Sequence, residues 1–298
     1  MDTACERRAK WWHAAGDALV CDLCPQACRI APGHTGRCGV RANHGGTLIA
    51  LVYGHPATMQ VDPIEKKPFY HFLPGTRTLS LGTLGCNLSC KFCQNYSLSS
   101  GRPAAAELAA RRIMPEELVT EARRQNCQSI ALTYNEPTIW AEYGLDIATA
   151  ARAHGLKTLS VTNGYIQPGA ATEFYQSIDA ANVDLKAFDD DFYQRLCGAR
   201  LQPVLDTLKL LRKLGVWLEV TNLIIPAEND QPSQLAALAK WVCTELGPET
   251  PLHFSAFFPT WKLTNRPITP RATLEMARKL ALTAGLRHVH LGNLHLAE

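Results

Sequence analysis

The chain has 298 residues, a formal net charge of +3 and only 19% charged residues, without the clustered basic stripe that nucleic-acid binding calls for. No apolar run reaches bilayer-spanning length, so neither nucleic acid nor a membrane is an expected partner. Eleven cysteines, with a start that lacks the apolar core of a signal peptide, predict a cytoplasmic protein whose thiols bind metal rather than form disulfides.

The first 75 residues differ in texture from the rest and hold five of the cysteines. Cys21, Cys24, Cys28 and Cys38 form a C-x2-C-x3-C-x9-C set, which suits a structural zinc ion or a second iron–sulfur cluster. Four unliganded thiols are the plainer alternative. Large apolar residues are scarce here, so a metal would supply the organisation that a core cannot. We therefore expect 1–75 to be a cysteine-rich, metal-binding cap and linker, placed over a barrel mouth and helping to recognise substrate. Short strands are predicted at 37–41 and 47–52 around the turn Asn43-His44-Gly45-Gly46. Pro63, Pro68 and Pro74 then make 61–75 an ordered loop.

Across 76–298 short apolar strands alternate with amphipathic helices. Strands are predicted at 78–83, 129–133, 158–162, 181–186, 216–223 and 252–257, with a last one at 288–291. Helices are predicted at 115–125, 139–154, 169–177, 203–214, 232–246 and 270–284. Several open with a proline in the first turn. Gly155, Gly215 and Gly285 mark helix ends. Six βα units imply an α/β fold with a parallel sheet and right-handed crossovers. Reactive residues recur just after successive strands: Cys86, Asn135-Glu136, Asn163, Lys186 and Asn222. That recurrence favours a partial (β/α)6, TIM-like barrel, active at its C-terminal rim, over an open doubly wound sheet.

Cys86, Cys90 and Cys93 form C-x3-C-x2-C directly after the first of these strands. A cubane cluster is usually held by four cysteines, so three would leave one iron corner open to a substrate or cofactor. Zinc is the alternative, although no further cysteine follows until Cys127. Gly82 and Gly85 would let the backbone approach a cluster. Asn163 offers a side chain for a ribose. Alternation places Asp184 and Lys186 on one strand face, toward the barrel interior, where two ionisable groups are costly unless paired or liganded. A structural salt bridge meets the same pattern. Cys197 is either a hydrogen-atom relay facing the site or a half-buried structural thiol. Cys5, Cys127 and Cys243 lie outside any ligand pattern and read as packing residues.

The three-cysteine loop, with Phe92 just before its last cysteine, resembles that of the radical SAM superfamily. Glu136-Pro137 stands where that superfamily carries a GGE motif. Asp184-Leu185-Lys186 is similar to the cofactor-contacting Asp-Leu-Lys of glycyl-radical activating enzymes, and Phe258 occupies the place of their cofactor-touching histidine. Together with Cys21-Asp22-Leu23-Cys24-Pro25 and segments 61–75, 133–140, 181–188 and 218–226, these residues resemble the AmmeMemoRadiSam system radical SAM enzymes. Those enzymes are related to the pyruvate formate-lyase activating enzyme group.

The resemblance implies a 4Fe-4S cluster on Cys86, Cys90 and Cys93. It also implies S-adenosyl-L-methionine bound near Phe92, Asn135, Glu136, Asn163, Asp184 and Lys186. Reductive cleavage to a 5′-deoxyadenosyl radical would then abstract hydrogen from an unknown protein or peptide substrate. A flavodoxin or ferredoxin is the expected electron donor, and Memo-like and AMMECR1-like proteins are the expected partners. Two alternatives are an activating enzyme that installs a glycyl radical, and a non-catalytic metal-binding scaffold or electron carrier.

Overall fold

The computed structural model describes residues 7–294; Cys5 lies outside them. The N-terminal part is built from two small antiparallel sheets. Strands β1 (Trp12–Ala15), β2 (Ala18–Cys21) and β3 (Arg29–Ile30) form one, and the hairpin β4 (Arg41–His44) and β5 (Thr47–Ala50) forms the other. In the hairpin His44 pairs with Thr47, so Gly45 and Gly46 alone make the loop, and both have positive φ as a two-residue type I′ turn requires. The predicted strand 37–41 is thus displaced to 41–44. Gly36 and Gly39 instead curl the chain just before it, with the Gly36 amide bonded to the Arg41 carbonyl at 2.9 Å.

The expected loop at 61–75 begins as a strand. β6 (Thr58–Pro63) pairs antiparallel with β7 (Arg77–Gly82) and forms one edge of the large sheet, so that edge comes from the N-terminal side of residue 75. Pro63 takes the last position of the strand, opposite Arg77, where a missing amide is tolerated.

After β7 come α1 (Tyr96–Ser99), α2 (Ala105–Ala109), α3 (Pro115–Arg124), β8 (Ser129–Leu132), α4 (Ala141–Ala153), β9 (Lys157–Thr162) and α5 (Pro168–Tyr175). The chain continues through β10 (Ala180–Asp184), α6 (Asp190–Phe192), α7 (Gln202–Leu214), β11 (Trp217–Ile224), α8 (Pro232–Trp241), β12 (Leu252–Ala256), α9 (Arg271–Thr283) and β13 (Val289–Gly292). Strands β7 to β13 are parallel and adjacent in chain order. A doubly wound sheet would reverse its order at a switch point; this one does not, and it winds as a barrel. Among the described residues its two edges, β6 and β13, do not pair, so the barrel is partial.

The helices are held by their apolar faces. α7 buries Val204, Leu205, Leu208 and Leu211, each worth about 1.5–3 kcal/mol, and α3 buries Leu118, Val119 and Ala122. This scaffold fixes the C-terminal ends of β7–β12, from which the site is built.

Candidate active site

Cys86, Cys90 and Cys93 border one open cavity of about 240 Å³ at the C-terminal ends of the parallel strands. Their loop is tied down on both sides. The Ser89 and Lys91 amides donate to the carbonyls of Cys197 and Leu196, both at 2.9 Å, and the Lys262 amide donates to the Lys91 carbonyl at 2.9 Å. Asn135 spends its amide on the same task. Its Nδ2 donates to Thr83 Oγ1 (3.0 Å) and the Gly85 carbonyl (2.9 Å), while its Oδ1 accepts from the Thr83 amide at 3.1 Å. Expected as a cofactor contact, Asn135 also borders the cavity but acts chiefly as a brace for the loop.

The three thiols are not equivalent. Burial, then the nearby Glu136 carboxylate, pushes Cys86 well above the ordinary thiol pKa, and burial also raises Cys93. A hydrogen bond from Cys197 lowers Cys90, with Lys186 adding to the effect. Cys86 and Cys93 thus favour the protonated thiol, and metal binding would release those protons.

Glu136 is 2% exposed and heavily engaged. Its Oε1 accepts from the Thr138 amide (2.9 Å), Thr138 Oγ1 (2.6 Å) and Thr162 Oγ1 (2.7 Å), and Oε2 accepts from the Asn163 amide at 2.7 Å. It therefore knits the end of β8 to the end of β9 and keeps acceptor capacity only on Oε2. Asn163 donates through Nδ2 to Asn87 Oδ1 at 2.9 Å and comes within 3.9 Å of Cys86 Sγ.

Asp184 is the last residue of β10, and Lys186 lies beyond the strand, so strict alternation does not bring them together. The chain turns, and Lys186 Nζ reaches back to Asp184 Oδ2 at 3.0 Å. Burial disfavours the Lys186 charge, but Asp184 and then the Cys90 and Cys197 sulfurs outweigh it and hold the ammonium well above its usual pKa. Three further residues set this turn. Asn222 and Asn229 donate to the Leu185 and Lys186 carbonyls, each at 2.7 Å, and the Lys186 amide donates to Tyr193 Oη at 3.0 Å. Asn222 was visible only as a polar residue after a strand; Asn229 and Tyr193 carried no signal. Phe92 is 3% exposed, borders the cavity and packs on Phe192 with ring centroids 5.7 Å apart.

Three expectations are corrected. Cys197 is fully buried behind Cys90, so a relay thiol facing substrate is not what it provides. Among the described residues, neither Cys197 nor Phe258 borders the cavity; on that side the wall is Ser255 and Asn293. Nor does any described residue before Cys86 border it, so the N-terminal part does not cover the mouth. It sits instead against the outer side of the cluster loop. Gln26 Nε2 donates to the Asn87 and Gly198 carbonyls (2.9 and 3.0 Å), and Arg37 Nη2 donates to Ser89 Oγ at 2.9 Å.

Cys21, Cys24, Cys28 and Cys38 do come together around one small void, which Arg41 and Asn87 also border. Burial raises the Cys21 and Cys38 thiols and pushes Cys24 up to about 12. Arg41, 1% exposed, is held by a bidentate pair with Glu142 (2.9 Å to each oxygen). Among the described residues no three His, Cys, Asp or Glu side chains are gathered tightly enough for a single metal ion.

Residues 81–239 match the Radical SAM superfamily. The chain is 45% identical over 288 residues to the uncharacterized protein MJ0808 of Methanocaldococcus jannaschii, covering 96% of this chain and 85% of that one. It is 25% identical over 169 residues to the pyruvate formate-lyase-activating enzyme of Clostridium pasteurianum, covering 56% of this chain and 69% of that enzyme. Among solved structures, Streptococcus suis SuiB bound to its precursor peptide SuiA superposes with a TM-score of 0.55 at 14% identity, over 71% of this chain and 47% of SuiB. No helix among the described residues is long and apolar enough to cross a membrane. With a parallel partial barrel, a three-cysteine loop at its C-terminal rim and a match over more than half its length, the chain belongs to the radical SAM superfamily and is homologous to the pyruvate formate-lyase activating enzymes.

Proposed function

We propose that this protein is a cytoplasmic radical SAM enzyme that acts on a protein or peptide. A 4Fe-4S cluster and S-adenosylmethionine suit the residues present, because three thiols share one open cavity with the Asp184–Lys186 pair. When bound, they supply a reductively generated 5′-deoxyadenosyl radical that takes hydrogen from the substrate. Cys86, Cys90 and Cys93 would hold the cluster. Asp184 and Lys186, both bordering the cavity, would face the cofactor's ammonium and carboxylate groups. Phe92 would form an apolar wall, while Glu136, Asn135 and Asn163 keep the loop and strand ends in register. The observation that carries this reading is the clustering of those three thiols with an ion pair in one cavity. The substrate class rests on the open side of the barrel and on kinship with activating enzymes, which is an analogy of fold and family.

A glycyl-radical activating role is the second reading, favoured by the likeness to the Clostridium pasteurianum enzyme. Flavodoxin or ferredoxin remains the expected donor, and Memo-like and AMMECR1-like proteins are the partners to assay. The N-terminal cysteines are proposed as a second metal site, zinc or iron–sulfur. Anaerobic reconstitution followed by dithionite and S-adenosylmethionine should yield 5′-deoxyadenosine, and Cys93→Ala should not. Equal yields from the two would refute the catalytic reading and leave a scaffold or electron carrier.

A further inference from the structure

Three observations single out the pocket formed by Cys21, Cys24, Cys28 and Cys38. The first is its spacing. A tetrahedral zinc site with arms of about 2.3 Å draws its sulfurs to within about 3.8 Å of one another. These four thiols instead surround a void and are not gathered for one ion, as is also true of the Cys86 loop. A cubane, with four irons at its centre, calls for thiolates held farther apart than a single ion does.

The second is Arg41. Its guanidinium is buried, its Nε has no hydrogen-bond partner, and it borders the same void. A buried N–H left unsatisfied is costly. Sulfur of a bound cluster would satisfy it, and hydrogen bonds to cluster sulfur tune reduction potential.

The third is position. Gly85, the residue before Cys86, has φ +88°, and a Cβ there would overlap the Cys38 carbonyl oxygen. The two cysteine loops therefore touch backbone to backbone. Asn87 borders the four-cysteine void and also accepts from Asn163, which sits beside Cys86. Cys28, by contrast, is half-buried between the exposed Ala27 and Arg29. A route thus runs from the surface at Cys28, through the void, to Cys38, Gly85 and Cys86.

We infer that the four N-terminal cysteines hold a 4Fe-4S cluster that carries electrons from a low-potential protein donor to the cluster on Cys86, Cys90 and Cys93. One electron passes from the donor to the outer cluster, which returns to its oxidised state as it reduces the inner one. Arg29, exposed beside Cys28, suits an acidic donor surface. Electrons then enter from the side away from the cavity, which stays free for cofactor and substrate. The inference rests on the radical SAM reading of the inner loop, but it is tested by iron content, spectra and donor dependence, none of which needs S-adenosylmethionine.

Reconstituted anaerobically, the wild-type protein should bind about eight irons per chain, and a variant with Cys86, Cys90 and Cys93 all changed to Ala should keep about four. Dithionite should give that variant the paramagnetic signal of a reduced cluster. About four irons in the wild type, or zinc in the variant, overturns the proposal. In the fully reduced wild type the two neighbouring spins should broaden each other. A spectrum equal to the sum of the two single-cluster variants would count against their proximity. Finally, Cys24→Ser with Cys28→Ser should lose reduction of the inner cluster by a flavodoxin-type donor yet retain reduction by dithionite. Unchanged rates with both donors would reject the relay. A protein that shows both clusters and the donor dependence but never forms 5′-deoxyadenosine would support the relay while refuting the catalytic reading.

Discussion

Asp62 gathers three donors on a carboxylate only 5% exposed. Lys66 and Lys67 each approach within 2.8 Å, and Tyr134 Oη donates at 2.8 Å. Burial would raise its pKa, but the lysines and the phenol outweigh it and hold the carboxyl well below the usual range. Lys67, 3% exposed, also lies 4.1 Å from the Tyr134 ring centroid. These contacts matter because Tyr134 has φ 68°, a left-handed conformation that costs a non-glycine residue about 1–2 kcal/mol. It occupies a place where the resemblance puts glycine. The anchoring by Asp62 and Lys67 offsets that strain and keeps the turn before Glu136 in shape. Asp62→Asn would strand a buried ammonium and should destabilise the fold by about 3–5 kcal/mol, read from urea denaturation. A loss under about 1 kcal/mol would mean that Lys67 finds solvent or another partner.

At the scale of elements, the contact between the two cysteine loops makes a sharper forecast. Gly85→Ala demands a left-handed alanine and drives its Cβ into the Cys38 carbonyl, so it should cost at least about 2 kcal/mol and lower iron uptake on reconstitution. Gly155, also left-handed but with nothing within 4 Å of its Cβ position, should cost only the backbone penalty of about 1–2 kcal/mol when changed to Ala. Equal thermal shifts for the two would deny that the loops press together. The seven parallel strands were legible because short, largely apolar runs lie between helix signals, and β10 and β12, buried along most of their length, have the shortness of fully buried strands. β6 was not legible. It is an edge strand whose residues are mostly exposed or half-buried, with a proline at its end, so it shows neither an apolar run nor clean alternation. In the site, ligand spacing made the cysteines visible. The resemblance assigns Asn135 and Glu136 to the cofactor, and sequence alone does not show which backbone and hydroxyl groups already engage them. The burial of Cys197 likewise depends on how the cluster loop folds back over it, a long-range contact that no local pattern encodes.

At the scale of the whole molecule, the segment after β6 closes the end of the barrel opposite the cavity. Glu219 of β11 is fully buried and accepts from the Tyr70 and His71 amides at 3.1 and 3.0 Å. His253 Nε2 meets Glu219 Oε2 at 2.7 Å, and His71 Nε2 meets His290 Nε2 at 2.8 Å. The last contact needs at least one neutral imidazole, since two imidazolium rings have no acceptor between them. Burial, then His253 and His71, pushes His290 down to about 4 from 6.5, against a smaller pull from Glu219 and with His288 adding to the repulsion. Burial lowers His71 as well. Because the folded pKa lies below the unfolded one, the unfolded chain binds more protons between these values. Stability is therefore complete above about pH 6.5 and drains away as pH falls toward 4. Glu219, held below its ordinary pKa by His253 and the two amides despite burial, loses its own contribution at still lower pH. The melting temperature should thus fall steadily across that window, and His290→Gln, which keeps a hydrogen-bonding side chain but cannot titrate, should flatten the upper part of the slope. Because this floor lies at the face of the barrel that serves stability rather than chemistry, the same variant should bind as much iron as the wild type. A wild-type melting temperature that does not change between pH 6.5 and 4 would show that His71 and His290 are not held neutral by the fold and do not stabilise this end of the barrel.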